Sequence, residues 1–373
     1  MAIPPWRKAR LRHGGSSTST RGIDIPLELT VDILKKLPAK SLVRFRCVSK
    51  QWLSIISRRR GFIDSIVTRS STQPPRDAHL IFENIFSHRD VECCMVLSSS
   101  SRSPEEKSLL SIPEGTYDYV RGLILSWSDY LNRAVIYNPT TRQCLKLPEK
   151  EVRGGGSCYL GYDPLENEYK VLFIPIGSME QACRVFTLGA KQWRTIQGVA
   201  SHGPLFGAVC IDGFIYYIAK AHDCEYAFLY QLMSFDVRSE KFYRVDAPET
   251  LKDHASALID YQGKLGFVCC KKGMEIWVVD DKQSSWSRLF FYEMRGFQDW
   301  RVSGVTRRGE IVFTSWMYVY LDILCVFYYD PKQNSVRDVD FDQGTFSDAS
   351  RRNSSGVFIW TLPDYVENTM LLY

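Results

Sequence analysis

Apolar residues between positions 23 and 60 recur at helical spacing. A first helix is expected to begin near Ile25-Pro26, because a proline at a helix start lacks only an N–H that would be unpaired there anyway. Its apolar positions are Leu29, Ile33, Leu34 and Leu37. Pro38 is predicted to end that helix.

A second helix is predicted to begin at Ser41 and to end at Gly61, after a run of three arginines that suits a helix C-terminus. Its apolar positions are Leu42, Phe45, Val48, Trp52 and Ile56. A unit of about 40 residues is too small to bury this much apolar surface alone. The two helices are therefore expected to dock on something else.

From residue 78 onward, short apolar and aromatic strands alternate with turns at a period of about 47 residues. One series of turn signals is Gly122, Asn167, Gly213, Gly263 and Gly309. A second series, which trails the first, is Asn138, Thr187, Asp236, Asp280 and Asp330. Two hairpins per period make four strands, which is the content of a propeller blade. A β-sandwich, or unrelated strand pairs at chance spacing, stays open as an alternative.

Five repeats are visible, and apolar segments flank them on both sides. The segments are 79–82 and 91–97 in front, and 357–362 and 370–373 behind. Together they are predicted to form a further blade that joins both ends of the domain, because a closed ring leaves no exposed sheet edge. The fold class predicted is α+β multidomain: a small N-terminal helical domain, then an all-β propeller of about five to six four-stranded blades. The boundaries are 1–22 for a basic tail predicted to be disordered, 23–69 for the helices and 78–373 for the propeller.

Charge divides the chain in the same way. Residues 1–60 hold 14 Lys and Arg against 3 acids, whereas residues 61–373 hold 33 against 39. The first 22 residues carry no acid, and they are consistent with a solubilising arm, a nuclear-import patch or an organelle transit peptide. No apolar run is long enough to span a membrane or to form the core of a secretory signal. An intracellular protein, in the nucleus and/or the cytoplasm, is expected.

The helical segment resembles an F-box. The residues that carry the resemblance are Ile25, Pro26, Leu29, Ile33, Leu34, Leu37, Pro38, Leu42, Phe45, Val48 and Trp52. Two positions depart from the family pattern: Ile25 stands where Leu is usual, and Ser49 where Cys is frequent. The resemblance implies that these eleven residues bind a Skp-type adaptor and, through it, a cullin–RING ubiquitin ligase.

The strand region is similar to the F-box-associated, kelch-like propeller domains of plants, although the glycine pairs of kelch repeats are absent. The motifs are Leu123-Ile124-Leu125, Tyr137-Asn138-Pro139-Thr140-Thr141, Gly161-Tyr162-Asp163-Pro164 and Tyr169-Lys170-Val171. The resemblance implies a substrate receptor of an SCF-type ligase, whose propeller binds an unknown target protein.

Catalytic chemistry is not expected. The six histidines show no metal-ligand spacing, and no nucleophile, acid and base are placed together in the sequence. A non-enzyme without cofactor or metal is therefore predicted. Two other functions stay open: nucleic-acid binding by the basic N-terminal region, which is less favoured because the helices' apolar faces need a protein partner, and a free-standing propeller scaffold.

Overall fold

The protein is described by a computed structural model. The residues it describes are 25–73, 80–85, 93–98, 108–110, 116–128, 132–148, 155–176, 182–190, 192–196, 202–221, 230–253, 257–270, 273–280, 285–292, 300–315, 324–341 and 358–372. The predicted tail 1–22 lies outside them.

Four helices precede the strands. They are α1 (Leu27–Lys35), α2 (Ala39–Phe45), α3 (Lys50–Arg58) and α4 (Arg60–Thr72). Pro26 and Pro38 are the N-caps of α1 and α2, as expected of residues with a fixed φ at a helix start. A common core of buried side chains joins the four helices. It is made of Val31, Leu34, Ala39, Leu42, Ile55, Ile56, Phe62 and Ile66.

The prediction of one continuous second helix was wrong. The helix is interrupted between α2 and α3. Ser49 is the N-cap of α3, and its side chain accepts a hydrogen bond from the backbone N–H of Trp52 (3.1 Å). Gly61 does not end a helix, because it lies in the first turn of α4. Phe62 of α4 packs in the helical core, whereas Ile63 packs with Val366 near the C-terminal end of the described residues.

Six four-stranded antiparallel sheets follow, so the propeller prediction is confirmed with six blades. Blade 1 contains β1 (Leu80–Ile85), β2 (Cys93–Ser98), β3 (Ser108–Leu110) and β24 (Phe358–Leu362). Blade 2 contains β4 (Thr116–Val120), β5 (Leu123–Ser128), β6 (Arg133–Asn138) and β7 (Gln143–Lys146). Blade 3 contains β8 (Gly156–Asp163), β9 (Glu168–Pro175), β10 (Arg184–Thr187) and β11 (Trp193–Thr195).

The other three blades have the same order. Blade 4 contains β12 (His202–Ile211), β13 (Phe214–Ala221), β14 (Tyr230–Asp236) and β15 (Lys241–Val245), followed by helix α5 (Glu249–Asp253). Blade 5 contains β16 (Ala257–Tyr261), β17 (Lys264–Cys269), β18 (Met274–Asp280) and β19 (Ser285–Tyr292). Blade 6 contains β20 (Trp300–Val305), β21 (Ile311–Ser315), β22 (Leu324–Asp330) and β23 (Ser335–Phe341).

Both predicted turn series occupy equivalent places in successive blades. The first series marks the turn between the first and second strands. At Arg121-Gly122, Asp212-Gly213 and Gln262-Gly263 both turn residues have positive φ, as a two-residue hairpin requires. Each residue of the second series is the last residue of a third strand.

The ring closes by pairing of distant strands. β24 lies antiparallel to β1, with Leu80 opposite Leu362 and Asn84 opposite Phe358. This confirms that the C-terminal part of the chain supplies a closing strand. Residues 363–372 do not add a second one, contrary to the expectation for 370–373: they form an extended segment, here called the strap, that leaves the blade and runs between blade 2 and the helices.

Candidate adaptor-binding surface and its seam with the propeller

Helix α1 exposes apolar side chains on one side and buries others on the opposite side. Leu29 and Ile33, one helical turn apart, are 54% and 51% exposed, and Ile25 is 51% exposed. Thr30, Val31 and Leu34 face the core. Exposed aliphatic residues in a row on one helix face indicate an interaction surface, because a monomer gains nothing by presenting them to water.

A second group of exposed residues lies around the break between α2 and α3. Val48 is 58% exposed, and the Phe45 ring packs edge-on against the half-buried Trp52 ring at 5.7 Å between centroids. Pro26 and Pro38 are exposed at the starts of α1 and α2, and Leu37 is half-buried.

The structure divides the eleven residues expected to bind the adaptor. Nine are exposed or half-buried: Ile25, Pro26, Leu29, Ile33, Leu37, Pro38, Phe45, Val48 and Trp52. Leu34 and Leu42 are fully buried in the helical core, so they stabilise the helices and do not lie on the surface. Leu27, which is 41% exposed next to this surface, was missed, because it falls outside the spacing used to choose α1 positions.

Charged contacts join α4 to the turns of blades 2 and 3. The Arg60 guanidinium donates to Glu168 Oε1 (2.7 Å) and to the backbone oxygen of Glu166 (3.0 Å). Arg121, in the β4–β5 turn, forms an ion pair with Asp64, whose carboxylate also accepts a hydrogen bond from the Tyr162 hydroxyl (3.2 Å). These contacts place the helices on the side of the propeller that carries the turns between first and second strands.

A third contact joins the other end of α4 to blade 6. The Arg307 guanidinium donates to the backbone oxygens of Ser70 (2.9 Å) and Ser71 (2.7 Å), in the last turn of α4. A cation there satisfies helix carbonyls that have no partner within the helix and lies at the negative end of its dipole. The helix is therefore held at both ends.

The strap fills the space between α3, α4 and blade 2. Thr369 and Asn368 are fully buried, and the Thr369 hydroxyl donates to the backbone oxygen of Ile56 (2.8 Å). Asn368 Nδ2 donates to the backbone oxygen of Arg121 and to the Tyr169 hydroxyl (both 2.9 Å). Val366 and Met370 pack with Ile63 and Val67 of α4. The strap thus contacts the helices and the propeller at once, and we call this combined interface the seam.

Asn138 of blade 2 holds the strap from the other side. Its Nδ2 donates to the backbone oxygens of Asn368 (3.0 Å) and Met370 (2.8 Å), while its Oδ1 accepts from the N–H groups of Thr140 (3.0 Å) and Thr141 (3.4 Å). The second set of bonds recurs at the equivalent Asp330 of blade 6. An amide in place of the carboxylate therefore supplies the donor that the strap requires.

Asp118 and Glu310 are two of the propeller carboxyl groups whose pKa values are shifted. Burial raises the pKa of Asp118 to about 7, although the N–H groups of Leu160 and Tyr119 (both 2.8 Å) act in the opposite direction. The paired Arg337 guanidinium, at 2.7 and 3.0 Å, lowers the pKa of Glu310. Asp118 links the first strands of blades 2 and 3, and Glu310 links two strands of blade 6. Both carboxyl groups therefore stabilise the propeller.

The part of the chain that the structure describes contains no group of three or more His, Cys, Asp or Glu placed to hold a metal. The one described histidine, His202, is buried and lies 2.7 Å from the Tyr217 hydroxyl. None of the described helices has the length and apolar character needed to cross a membrane.

Comparison with known proteins assigns both parts of the chain. Residues 23–64 match the F-box domain, and residues 71–366 match the F-box associated beta propeller domain. The kelch-like relationship suggested by the sequence is not part of that match.

Relatives match along most of their length. The Arabidopsis thaliana protein At5g50220, described as a candidate F-box protein, is 45% identical over 94% of this chain and 92% of its own. The F-box protein At1g52495 of the same plant is 41% identical over 94% and 88%. Among solved structures, a chain of the nidogen/laminin complex aligns over 76% of this chain and 98% of its own, with 11% identity and a TM-score of 0.47, a similarity too low to bear on function. The chain belongs to the plant F-box proteins that carry a C-terminal F-box-associated β-propeller.

Proposed function

We propose that this protein is the substrate receptor of an SCF-type ubiquitin ligase: its helices bind a Skp-type adaptor, which connects it to a cullin–RING ligase, and its propeller binds a target protein. The observation that carries the proposal is the exposed apolar face of α1 to α3, which none of the described residues covers even though α4 is docked on the propeller. This surface supports a protein partner, because apolar contact area dominates the centre of such interfaces.

The receptor itself performs no chemistry in this proposal. It raises the effective concentration of a target lysine near a ubiquitin carrier held elsewhere in the complex. Its working place is inside the cell, in the nucleus and/or the cytoplasm, where cullin–RING ligases act.

The target is proposed to bind on the propeller face opposite the seam. In an antiparallel blade the turns between first and second strands and between third and fourth strands lie on one face, and the α4 contacts occupy that face at blades 2, 3 and 6. The other face carries the ends of the second strands and the starts of the third strands, such as Ala221 and Tyr230 of blade 4 and Ser315 and Leu324 of blade 6. Loops on a rigid scaffold are where binding residues concentrate.

Adaptor binding is tested with exposed residues only. Replacing Leu29 and Ile33 together by Ala is expected to weaken binding of a purified Skp-type adaptor by about 30-fold or more, since a buried interface anchor contributes about 2 kcal/mol or more. The melting temperature is expected to stay within about 2 °C, because neither residue is in the core. Leu165→Ala, a substitution of an exposed leucine on the propeller, is the control. Unchanged affinity in the double variant would contradict the proposal.

The target face is tested by photo-crosslinking in extracts of the source tissue. Ile176 directly follows β9 on the face opposite the seam, and Leu165 lies in the β8–β9 turn on the seam face; both are exposed. A photoreactive residue at 176 is expected to trap a protein that is ubiquitinated in the presence of the assembled ligase, and one at 165 is not. Trapping of such a target only at 165 would reverse the assignment of the faces.

The nucleic-acid alternative predicts a different salt dependence. Binding through 6–10 phosphates falls by about 10³- to 10⁵-fold between 50 and 200 mM salt, whereas an apolar interface changes little. RNA or DNA binding that shows this dependence and survives removal of residues 1–22 would favour the alternative. Adaptor binding that fails at every salt concentration would favour the free-standing scaffold.

A further inference from the structure

A cleft opens where α4, the strap and the turns of blades 2 and 3 meet. Its volume is about 240 Å³, at the small end of ligand sites, so it suits a small molecule and excludes a folded partner. All three surrounding elements contribute to its walls, and it is separate from the adaptor surface on α1 to α3.

The floor of the cleft is apolar and largely preformed. Leu188 and Leu372 line it and belong to the packed core shared by blades 2 and 3. Ile63 and Val67 of α4 form the opposite wall, and Met370 lies between them with a flexible side chain that adapts to irregular shapes. A ligand that fills this space therefore needs an apolar body.

The rim carries an excess of positive charge. Arg58, Arg60 and Arg121 line the cleft together with the carboxylates of Asp64 and Glu168, which gives one net positive charge. Both carboxylates are already engaged by arginines of the rim. Arg60 is also the first residue of the 13-residue helix α4, whose N-terminal end favours an anion.

Two buried polar atoms beneath the cleft make no hydrogen bond to the described residues. Ser57, which lines the cleft, is 97% buried, and its hydroxyl has no hydrogen-bond partner among the described residues; the same holds for Arg121 Nε. Neither atom is open to solvent, so the donors that a ligand meets at the cleft are the guanidinium groups of Arg58, Arg60 and Arg121.

We propose that this cleft binds a small amphipathic organic acid, with its apolar body on the floor formed by Leu188, Met370 and Leu372 and its carboxylate at the arginine-rich rim. Such a ligand contacts the helical domain, the strap and the propeller together, so it stabilises the seam. The site is independent of adaptor and target binding.

The probe is octanoate, titrated by calorimetry into the full-length protein and compared with octylammonium and octyl glucoside, which share its apolar chain. Saturable binding of octanoate, tighter than that of either comparator, is expected. Gly189 lines the cleft, and a side chain there meets Arg60 at an ordinary contact distance of 3.6 Å. Gly189→Phe is therefore expected to weaken octanoate binding about tenfold or more, because its ring would occupy space beside the Arg60 guanidinium, where the carboxylate is proposed to bind.

Gly61→Phe is the matched control, because a side chain at that nearby glycine points into open space. Arg58→Gln is expected to weaken octanoate by about 2- to 5-fold, as for an exposed ion pair, without affecting octyl glucoside. Arg59→Gln, next to it but outside the lining, is expected to change neither.

A spectroscopic measurement keeps the test valid if Gly189→Phe does not fold. In protein labelled with ¹³C-methyl methionine, octanoate is expected to shift the Met370 signal, identified by its loss in Met370→Leu. No saturable binding up to about 10 mM, a free energy near −3 kcal/mol, would overturn the proposal. So would equal binding of octylammonium, or binding that leaves the Met370 signal unmoved.

Discussion

Replacing Asn138 by Asp would test whether the strap depends on a single amide. The change keeps Oδ1, so the turn bonds to the N–H groups of Thr140 and Thr141 remain. It replaces Nδ2, which donates to the backbone oxygens of Asn368 and Met370 at 3.0 and 2.8 Å, by a carboxylate oxygen that faces them. Two hydrogen bonds become two repulsive contacts at a site with no solvent access.

The expected loss follows from these contacts. Each hydrogen bond contributes about 0.5–1.5 kcal/mol net, and leaving a buried charge without a partner brings the total to about 3–5 kcal/mol. The loss falls on the interface between the strap and blade 2, so local opening of residues 363–372 becomes more frequent. Amide exchange in that segment is expected to rise about 10²- to 5 × 10³-fold, because each 1.36 kcal/mol is a factor of ten.

The assay is hydrogen–deuterium exchange of the strap at pH 7, with Asp330→Asn as the control. Asp330 occupies the equivalent place in blade 6 and accepts the same pair of turn hydrogen bonds, at 2.8 and 3.3 Å, without a strap beside it. Burial raises the pKa of the carboxyl introduced by N138D, so its penalty is largest at neutral pH and fades as the pH falls toward about 4. Strap exchange in N138D equal to that of the wild type, or an equal increase in D330N, would refute the reasoning.

Three further outcomes are expected. In Gly122→Ala the added methyl group would lie 2.5 Å from a strap carbonyl oxygen, at a residue with φ +87°. In Gly263→Ala the φ is similar, +84°, but no atom lies near the added methyl group, so the Gly122 variant should have the much lower melting temperature. Equal melting temperatures would mean that only backbone strain matters. The second outcome is measured by urea titration at several pH values. The stability that Glu310 provides through Arg337 should be complete above pH 4.5 and should disappear as the pH falls through the lowered pKa of Glu310 in the folded state. Glu310→Gln should therefore have a smaller free energy of unfolding than the wild type at pH 7, and the two values should converge in acid. Removal of residues 357–373 should give a domain that aggregates in gel filtration and is cleaved by proteases while adaptor binding persists; a monomer with an unchanged melting temperature would show that β24 does not stabilise the ring.

The repeating features of the fold could be predicted from the sequence because each one is local. A glycine such as Gly213 marks a hairpin wherever both turn residues need positive φ. A polar residue such as Asp236 ends a third strand by accepting hydrogen bonds from the N–H groups two and three positions later, those of Arg238 (2.9 Å) and Ser239 (3.3 Å). These signals depend only on neighbouring residues, so they can be recognised in the sequence without knowledge of the tertiary structure.

The strap and the division of the adaptor residues could not be predicted, because both depend on contacts between distant segments. Asn368 bonds to residues 199 and 247 positions earlier in the chain, and its own segment has no periodicity. Ile33 and Leu34 are equally apolar neighbours, yet one is exposed and the other is in the core. Periodicity finds an apolar helix but cannot separate its core face from its docking face when both are apolar.

The pairing of β24 with β1 also fixes the order in which the protein can be completed during synthesis. A nascent chain that has emerged through β23 has five whole blades, but blade 1 still lacks its innermost strand and presents the open edge of β1. The strap follows β24, so α4 obtains its contacts with Val366 and Met370 only after the ring has closed. Until then the helices can already present their adaptor surface, while the seam that orients them is unformed. Before β24 and the strap are translated the F-box is only tethered to the strands, and afterwards it has a fixed orientation on the propeller. A ribosome stalled before β24 would leave a chain that presents the F-box on an open ring.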